Sequence, residues 1–161
     1  MALSRHDLLK GRFDHVRAFF NEILPRLTPE LLDWAPAEGM RTVSGQLMEI
    51  IGVEMALVPR LKEGKEYSYN EIDEMIGDPN SLENLLNQLE ETRRVTLEYL
   101  DSLSESDLEE EVASGKQWFG TFWKPVMPRA EHFLNISEHE FYHVGQLTVY
   151  LWMRGEDPYS W

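Results

Sequence analysis

Four stretches of the chain repeat apolar residues at spacings of three and four, the period of a helix with one buried face. The first covers about residues 4–24, with Leu9, Phe13, Val16, Phe20 and Ile23 on its stripe. Ser4 and Asp7 have the spacing of a capping box, with Asp in place of the usual Glu or Gln, and Pro25 and Pro29 end the segment. The second runs over about 43–62. Thr42 or Ser44 caps it, and Leu47, Ile50, Ile51, Glu54, Val58 and Leu61 share one stripe. Pro59 falls inside that pattern and is expected to kink or shorten the helix. The third starts after Ser81, a good N-cap, and carries a leucine-rich stripe through Leu85, Leu89, Leu97 and Leu100. The fourth starts near Pro128 and stops at Gly155. The connectors hold the Pro and Gly punctuation, and residues 71–76 in the second of them form a candidate short helix. The third connector, SESDLEEEVASGKQWFGTFWKPVMP, is the only strand-like or loop-like stretch of any length. This order predicts an all-α chain with one domain over residues 1–161: a four-helix bundle with a long crossover between helices 3 and 4.

Composition narrows the chemistry. No window of about 18 apolar residues is present, so no membrane span is expected. The charged start, MALSRHDLLKGRF, lacks the apolar run of a signal peptide, and a cytoplasmic protein is expected. There is no cysteine, so disulfides, thiolate ligands and a cysteine nucleophile are excluded, and any metal must rest on histidine and carboxylate. The formal net charge of −14, with the lone pair Arg93-Arg94 flanked by glutamates, leads to the expectation that nucleic acid is not a partner.

The fourth helix contains HEFYHVGQL, residues 139–147. His139 and His143 are four apart, one above the other on a helical face, a spacing at which two imidazoles can reach one ion. They fall on an apolar stripe with Ile136, Leu147 and Leu151. A core imidazole needs a hydrogen-bond partner or a metal, so two readings stand open: satisfied core histidines, or a metal site. His132 shares the stripe but lies about 10 Å up the axis, too far to share the ion, and reads as a surface or mouth residue. His15, near the apolar stripe of the first helix, could approach the bundle centre. The string is also H-E-x-x-H, the zinc-protease signature, but only eighteen residues follow His143. They hold no downstream histidine for the extended motif, and Glu156 and Asp157 lie past the helix stop. A third ligand is expected instead from a facing helix, as in other bundle metal sites.

HEFYHVGQL followed by TVYLWMRGEDP, with DWAPAEGMRTVSGQLMEIIGVE upstream, resembles the DinB-like bundle superfamily. That group includes YfiT-type metal-dependent hydrolases, thiol S-transferases and mycothiol-dependent maleylpyruvate isomerases. The resemblance implies a divalent metal, zinc or nickel with manganese or iron as further options, held by one His from the second helix and two from the fourth. His139 and His143 carry over. At the second-helix position this chain has Glu49, which makes a His/His/Glu set if it ligates, or a degenerate site if it is solvated. Glu54 is the fallback ligand, or a hydrogen-bond partner for a ligand histidine. Gly145 reads as a point of close helix approach and Gln146 as a packing or hydrogen-bonding residue.

The resemblance further implies small-thiol S-transferase or hydrolase chemistry on a small-molecule substrate. With no cysteine in the chain, the thiol must be external. Glu54, Tyr142 and Tyr150 are candidate acid/base groups, and Arg41, Arg60 and Arg129 candidate anion contacts. The competing reading is a non-catalytic dimeric bundle with a degenerate or structural metal site. A homodimer is expected in either case, from the aromatic surplus of Trp118, Phe119, Phe122, Trp123, Trp152 and Trp161.

Overall fold

The structure, a computed structural model, describes residues 3–115 and 126–159. Among these, four long helices carry the fold: α1 (Arg5–Ile23), α2 (Val43–Glu63), α4 (Leu82–Asp101) and α6 (Arg129–Met153). Two short helices, α3 (Tyr69–Ile76) and α5 (Glu105–Glu109), sit in the connections. Strands β1 (Glu111–Ala113) and β2 (Val126–Pro128) pair antiparallel, with Val112 opposite Met127. The expected all-α bundle is observed, and the 71–76 stretch is helical, two residues longer at its start.

The helix ends are set by local chemistry. Ser4, Thr42 and Ser81 each accept a backbone N–H of the first turn, which removes an orphan donor. Gly64 and Gly155 stop α2 and α6 in the left-handed region that glycine adopts without strain. Pro59 does not shorten α2, which runs on to Glu63: a proline this close to the end removes only one late hydrogen bond.

The core has two apolar layers. One gathers Phe20 of α1, Ile50 and Ile51 of α2, Leu85 and Leu89 of α4, and Val144 and Leu147 of α6. The other gathers Phe13, Val53 and Leu57, Leu100, and Phe133 and Ile136 from the same four helices. The order in which each helix meets the layers gives its direction: α1 and α6 run one way, α2 and α4 the other. Residues 64–81 therefore return the chain along the bundle, with α3 packed on α2, so the crossover expected between the third and fourth long helices lies instead between the second and third. Gly52 permits that packing, since a Cβ there would stand 2.8 Å from Ile72 Cγ2. The described parts of the connection between α4 and α6, residues 102–115 and 126–128, stay at one end, where Leu108 joins the second layer.

Between the layers each helix contributes one charged residue. Arg93 of α4 donates Nε–H to Glu54 Oε1 at 2.6 Å and an Nη2–H to Glu54 Oε2 at 3.1 Å. Its Nη2 also donates to Glu140 of α6, whose other oxygen accepts from Arg17 Nε of α1 at 2.8 Å. Glu54 and Glu140 are each 1% exposed. Burial opposes the Arg93 charge, but the two carboxylates outweigh it and hold the guanidinium above its ordinary range. Arg93 also lies over the Phe13 ring at 4.5 Å.

These contacts correct two expectations. Glu54 is given to Arg93, not to a metal or a histidine; its place on the apolar stripe reflects burial with a partner. His132 is buried rather than at a surface or mouth, because α5 and the β-hairpin cover its end of α6. Its Nδ1 accepts from Arg60 Nη2 at 3.3 Å, and burial with the Arg60 charge lowers its pKa to about 4. Trp118, Phe119, Phe122, Trp123 and Trp161 lie outside the described residues.

Replacing Arg93 with Ala leaves two buried carboxylates, with Arg17 as the remaining charge. The expected loss is about 3–5 kcal/mol of unfolding free energy, read by urea denaturation; a loss below about 1 kcal/mol contradicts the role given to this layer.

Candidate metal centre

Two of the packed helices, α2 and α6, build the centre. The one-turn spacing on α6 brings His139 Nε2 and His143 Nε2 to 3.0 Å, with both rings buried. Glu49 on α2 faces them, and one donor atom from each of the three lies within 4.8 Å of the others. Among the described residues this is the one such cluster of His and acidic groups. Two nitrogens about 2.1 Å from a common ion stand at most about 4.2 Å apart, so the histidine pair fits a shared ion. The set is two imidazoles and a carboxylate with no sulfur, a donor set that a borderline divalent cation accepts.

A chain of hydrogen bonds fixes the His143 tautomer. The Arg41 carbonyl can only accept, so Tyr150 donates its O–H to it at 2.8 Å. The Tyr150 oxygen then accepts from Gln46 Nε2–H at 3.0 Å, which turns Gln46 Oε1 toward His143. His143 Nδ1–H donates to that oxygen, and the Nε2 lone pair points at His139. In the metal-free protein His139 donates Nε2–H to that lone pair. Burial lowers the pKa of His139 to about 3, helped by the charges of His143 and Arg41. Burial and then Arg41 lower His143 to about 4, with Gln146 opposing. Both rings are thus neutral at pH 7, the form that ligates.

Glu49 Oε1 accepts from Arg41 Nη2 at 2.6 Å, so the carboxylate is oriented and not loose in solvent. A pocket of about 210 Å³ opens beside it. The Glu of the H-E-x-x-H string, Glu140, is held by Arg93 and Arg17 in the charge layer. Both of its oxygens are taken by those arginines and it is buried, so it is not free to serve as a protease base, which agrees with the sequence-based exclusion. Of the acid/base candidates, Glu54 and Tyr150 are occupied by Arg93 and the Arg41 carbonyl, while Tyr142 is exposed with its ring against His143. His15 is exposed and packs on Phe19, away from the centre.

Sequence reasoning missed Gln46, one turn before Glu49 on α2. Its signal was a polar residue on the helical stripe between Val43 and Ile50, but its partner lies 97 residues away. In metal-free protein at pH 7, a long-range proton–nitrogen correlation spectrum is expected to show His143 protonated on Nδ1. Gln46→Leu should mix the tautomers and cost about 1–3 kcal/mol, since it strands a buried N–H. A wild-type His143 protonated on Nε2 contradicts the chain.

Compared with known structures, the fold is similar to the crystal structure of the colibactin self-resistance protein ClbS in complex with double-stranded DNA. The TM-score is 0.64 at 17% identity, over 92% of this chain and 96% of that one, a likeness of fold. The sequence matches none of the curated proteins compared. The ClbS complex overturns the expectation that nucleic acid is not a partner. A protein of this fold binds DNA, and a net charge of −14 describes the average surface, not any one face. The family model of the DinB superfamily matches residues 12–147, which include the charge layer and all three members of the His/His/Glu cluster, and the chain belongs to that superfamily.

Proposed function

We propose that this protein is a divalent-metal-dependent enzyme acting on a small molecule, with His139, His143 and Glu49 as the metal ligands. The observation that carries this reading is the convergence of two neutral imidazoles and one oriented carboxylate within 4.8 Å, beside a pocket. Zinc or nickel suits the donor set best, and manganese or iron also accept it. When bound, such an ion supplies Lewis-acid activation of water or of an external small thiol, for hydrolase or S-transferase chemistry.

The chain's own residues prepare that step. Gln46 keeps the proton on His143 Nδ1 and leaves Nε2 free to ligate. Arg41 holds the Glu49 carboxylate in place. Met48, Val53 and Ile72 give the pocket an apolar lining that excludes water from a reacting group. A reduced external thiol suits the cytoplasm. A second reading puts the reacting group on DNA; its support is the DNA bound by ClbS.

Metal analysis of untagged protein tests the assignment. One ion per chain is expected, lost in His143→Ala together with a fall in Tm, because binding to the folded state alone adds to folding free energy. Unchanged metal in His143→Ala, or none in the wild type, overturns it. Bound metal with no turnover in hydrolysis and thiol-conjugation screens, on free and DNA-borne substrates, selects the non-catalytic bundle instead.

The enzyme works as a homodimer. The outward face of α6 between Phe141 and Met153 carries Tyr142, Val149 and Trp152 with no charge among them. Phe19 of α1 extends it, edge-to-face on Phe141 at 5.8 Å. On an acidic chain this strip is where two copies repel least, and Gly145 at its centre allows close approach. Light scattering at micromolar concentration is expected to give twice the chain mass, with Trp152→Asp dissociating it. A wild-type mass near 18.9 kDa contradicts the dimer.

A further inference from the structure

Arg41 holds Glu49 with one edge of its guanidinium and has more to offer. Its ion pair runs from Nη2 to Glu49 Oε1 at 2.6 Å, while its side chain stays 53% exposed in the wall of the pocket. A guanidinium has five N–H donors in a planar fork, a shape that fits a carboxylate. The two other arginines singled out in the sequence are committed to the connection between α4 and α6. Arg60 donates to the Ser114 carbonyl and to His132, and Arg129 to the Asp107 carbonyl and Glu110. Among the described residues, Arg41 is the arginine that lines this pocket.

The pocket's formal charges decide what it takes. Among the described residues, two acidic side chains, Glu49 and Asp73, line it together with Arg41. Without metal, two negative charges face one positive, and an anion is repelled. With a divalent ion on the His/His/Glu cluster, three positive charges face two negative, a surplus of one. A monoanion balances that surplus, whereas a dianion overshoots it. Met48, Val53 and Ile72 then require an apolar body on the ligand, and about 210 Å³ limits it to a small one.

We propose that this pocket binds a small organic monocarboxylate with an apolar body, the carboxylate taken by Arg41 and the body by Met48, Val53 and Ile72. The charge balance rests on the metal reading given above, but the Arg41 contact can be tested apart from it.

The probes are benzoate and its neutral isostere benzamide, titrated by calorimetry into protein exposed to zinc, with zinc stoichiometry measured first. Benzoate is expected to bind zinc-loaded wild type, to bind Arg41→Met at least tenfold more weakly, and to recover part of that loss in Arg41→Lys. Benzamide is expected to bind weakly and to be indifferent to these changes. Because Arg41 also holds Glu49, zinc is added until all three proteins carry the same measured amount before benzoate is titrated. The proposal is overturned if benzoate binds wild type and Arg41→Met equally, since the carboxylate would then sit elsewhere, or if benzamide binds as tightly as benzoate. Absence of zinc uptake with benzoate binding that still depends on Arg41 defeats the metal reading alone. Absence of both defeats the two together.

Discussion

The buried ladder Glu54–Arg93–Glu140–Arg17 fixes this bundle, because it takes one charge from each long helix and allows one arrangement in which all four are paired. Apolar layers tolerate sliding and rotation, since one leucine contact resembles the next. A desolvated carboxylate without its arginine costs several kcal/mol, so a helix rotated out of register is penalised at once. The ladder lies between the two apolar layers on every helix and sets their relative height. It also sets the rotation of α6. Glu140 must face Arg93 and Arg17, and this turns the neighbouring His139, and His143 one turn on, toward α2 and Glu49. The charge layer thereby aims the candidate metal centre.

The two acidic residues near the histidines therefore have opposite jobs. Glu140 belongs to H-E-x-x-H by string but to the bundle by contact. Glu49 belongs to no short motif, yet it stands within reach of both imidazoles and is oriented by Arg41. What separates them is the partner each carboxylate meets, arginines of α1 and α4 for Glu140 and imidazoles of α6 for Glu49, and a short string of letters does not carry partners from other helices.

Much of the fold was legible because its causes are local. The 3.6-residue period, Ser4, Thr42 and Ser81 as caps, and Gly155 as a stop each act within a turn or two. The histidine pair was legible for the same reason. Glu49 emerged only from the family resemblance, since nothing local separates it from a solvated glutamate. Gln46 and the job of Arg93 were not legible, because their partners lie 97 and 39 residues away. Periodicity read Glu54 as inward-facing, which is correct, but could not say that an arginine waited there. His132 was misplaced because the cover over its end of α6 comes from a connection with no period to read. The charge-based exclusion of nucleic acid failed because it replaced a distribution with a sum.

The claim that binds these points together is the division of labour between Glu140 and Glu49, and the zinc content of Glu140→Gln tests it. If the ladder aims the histidines and takes no part in ligation, this variant is folded, less stable than the wild type, and still holds one zinc per chain, whereas Glu49→Gln loses zinc and is about as stable as the metal-free wild type. A folded Glu140→Gln protein without zinc, beside a Glu49→Gln protein that keeps it, would contradict the assignment.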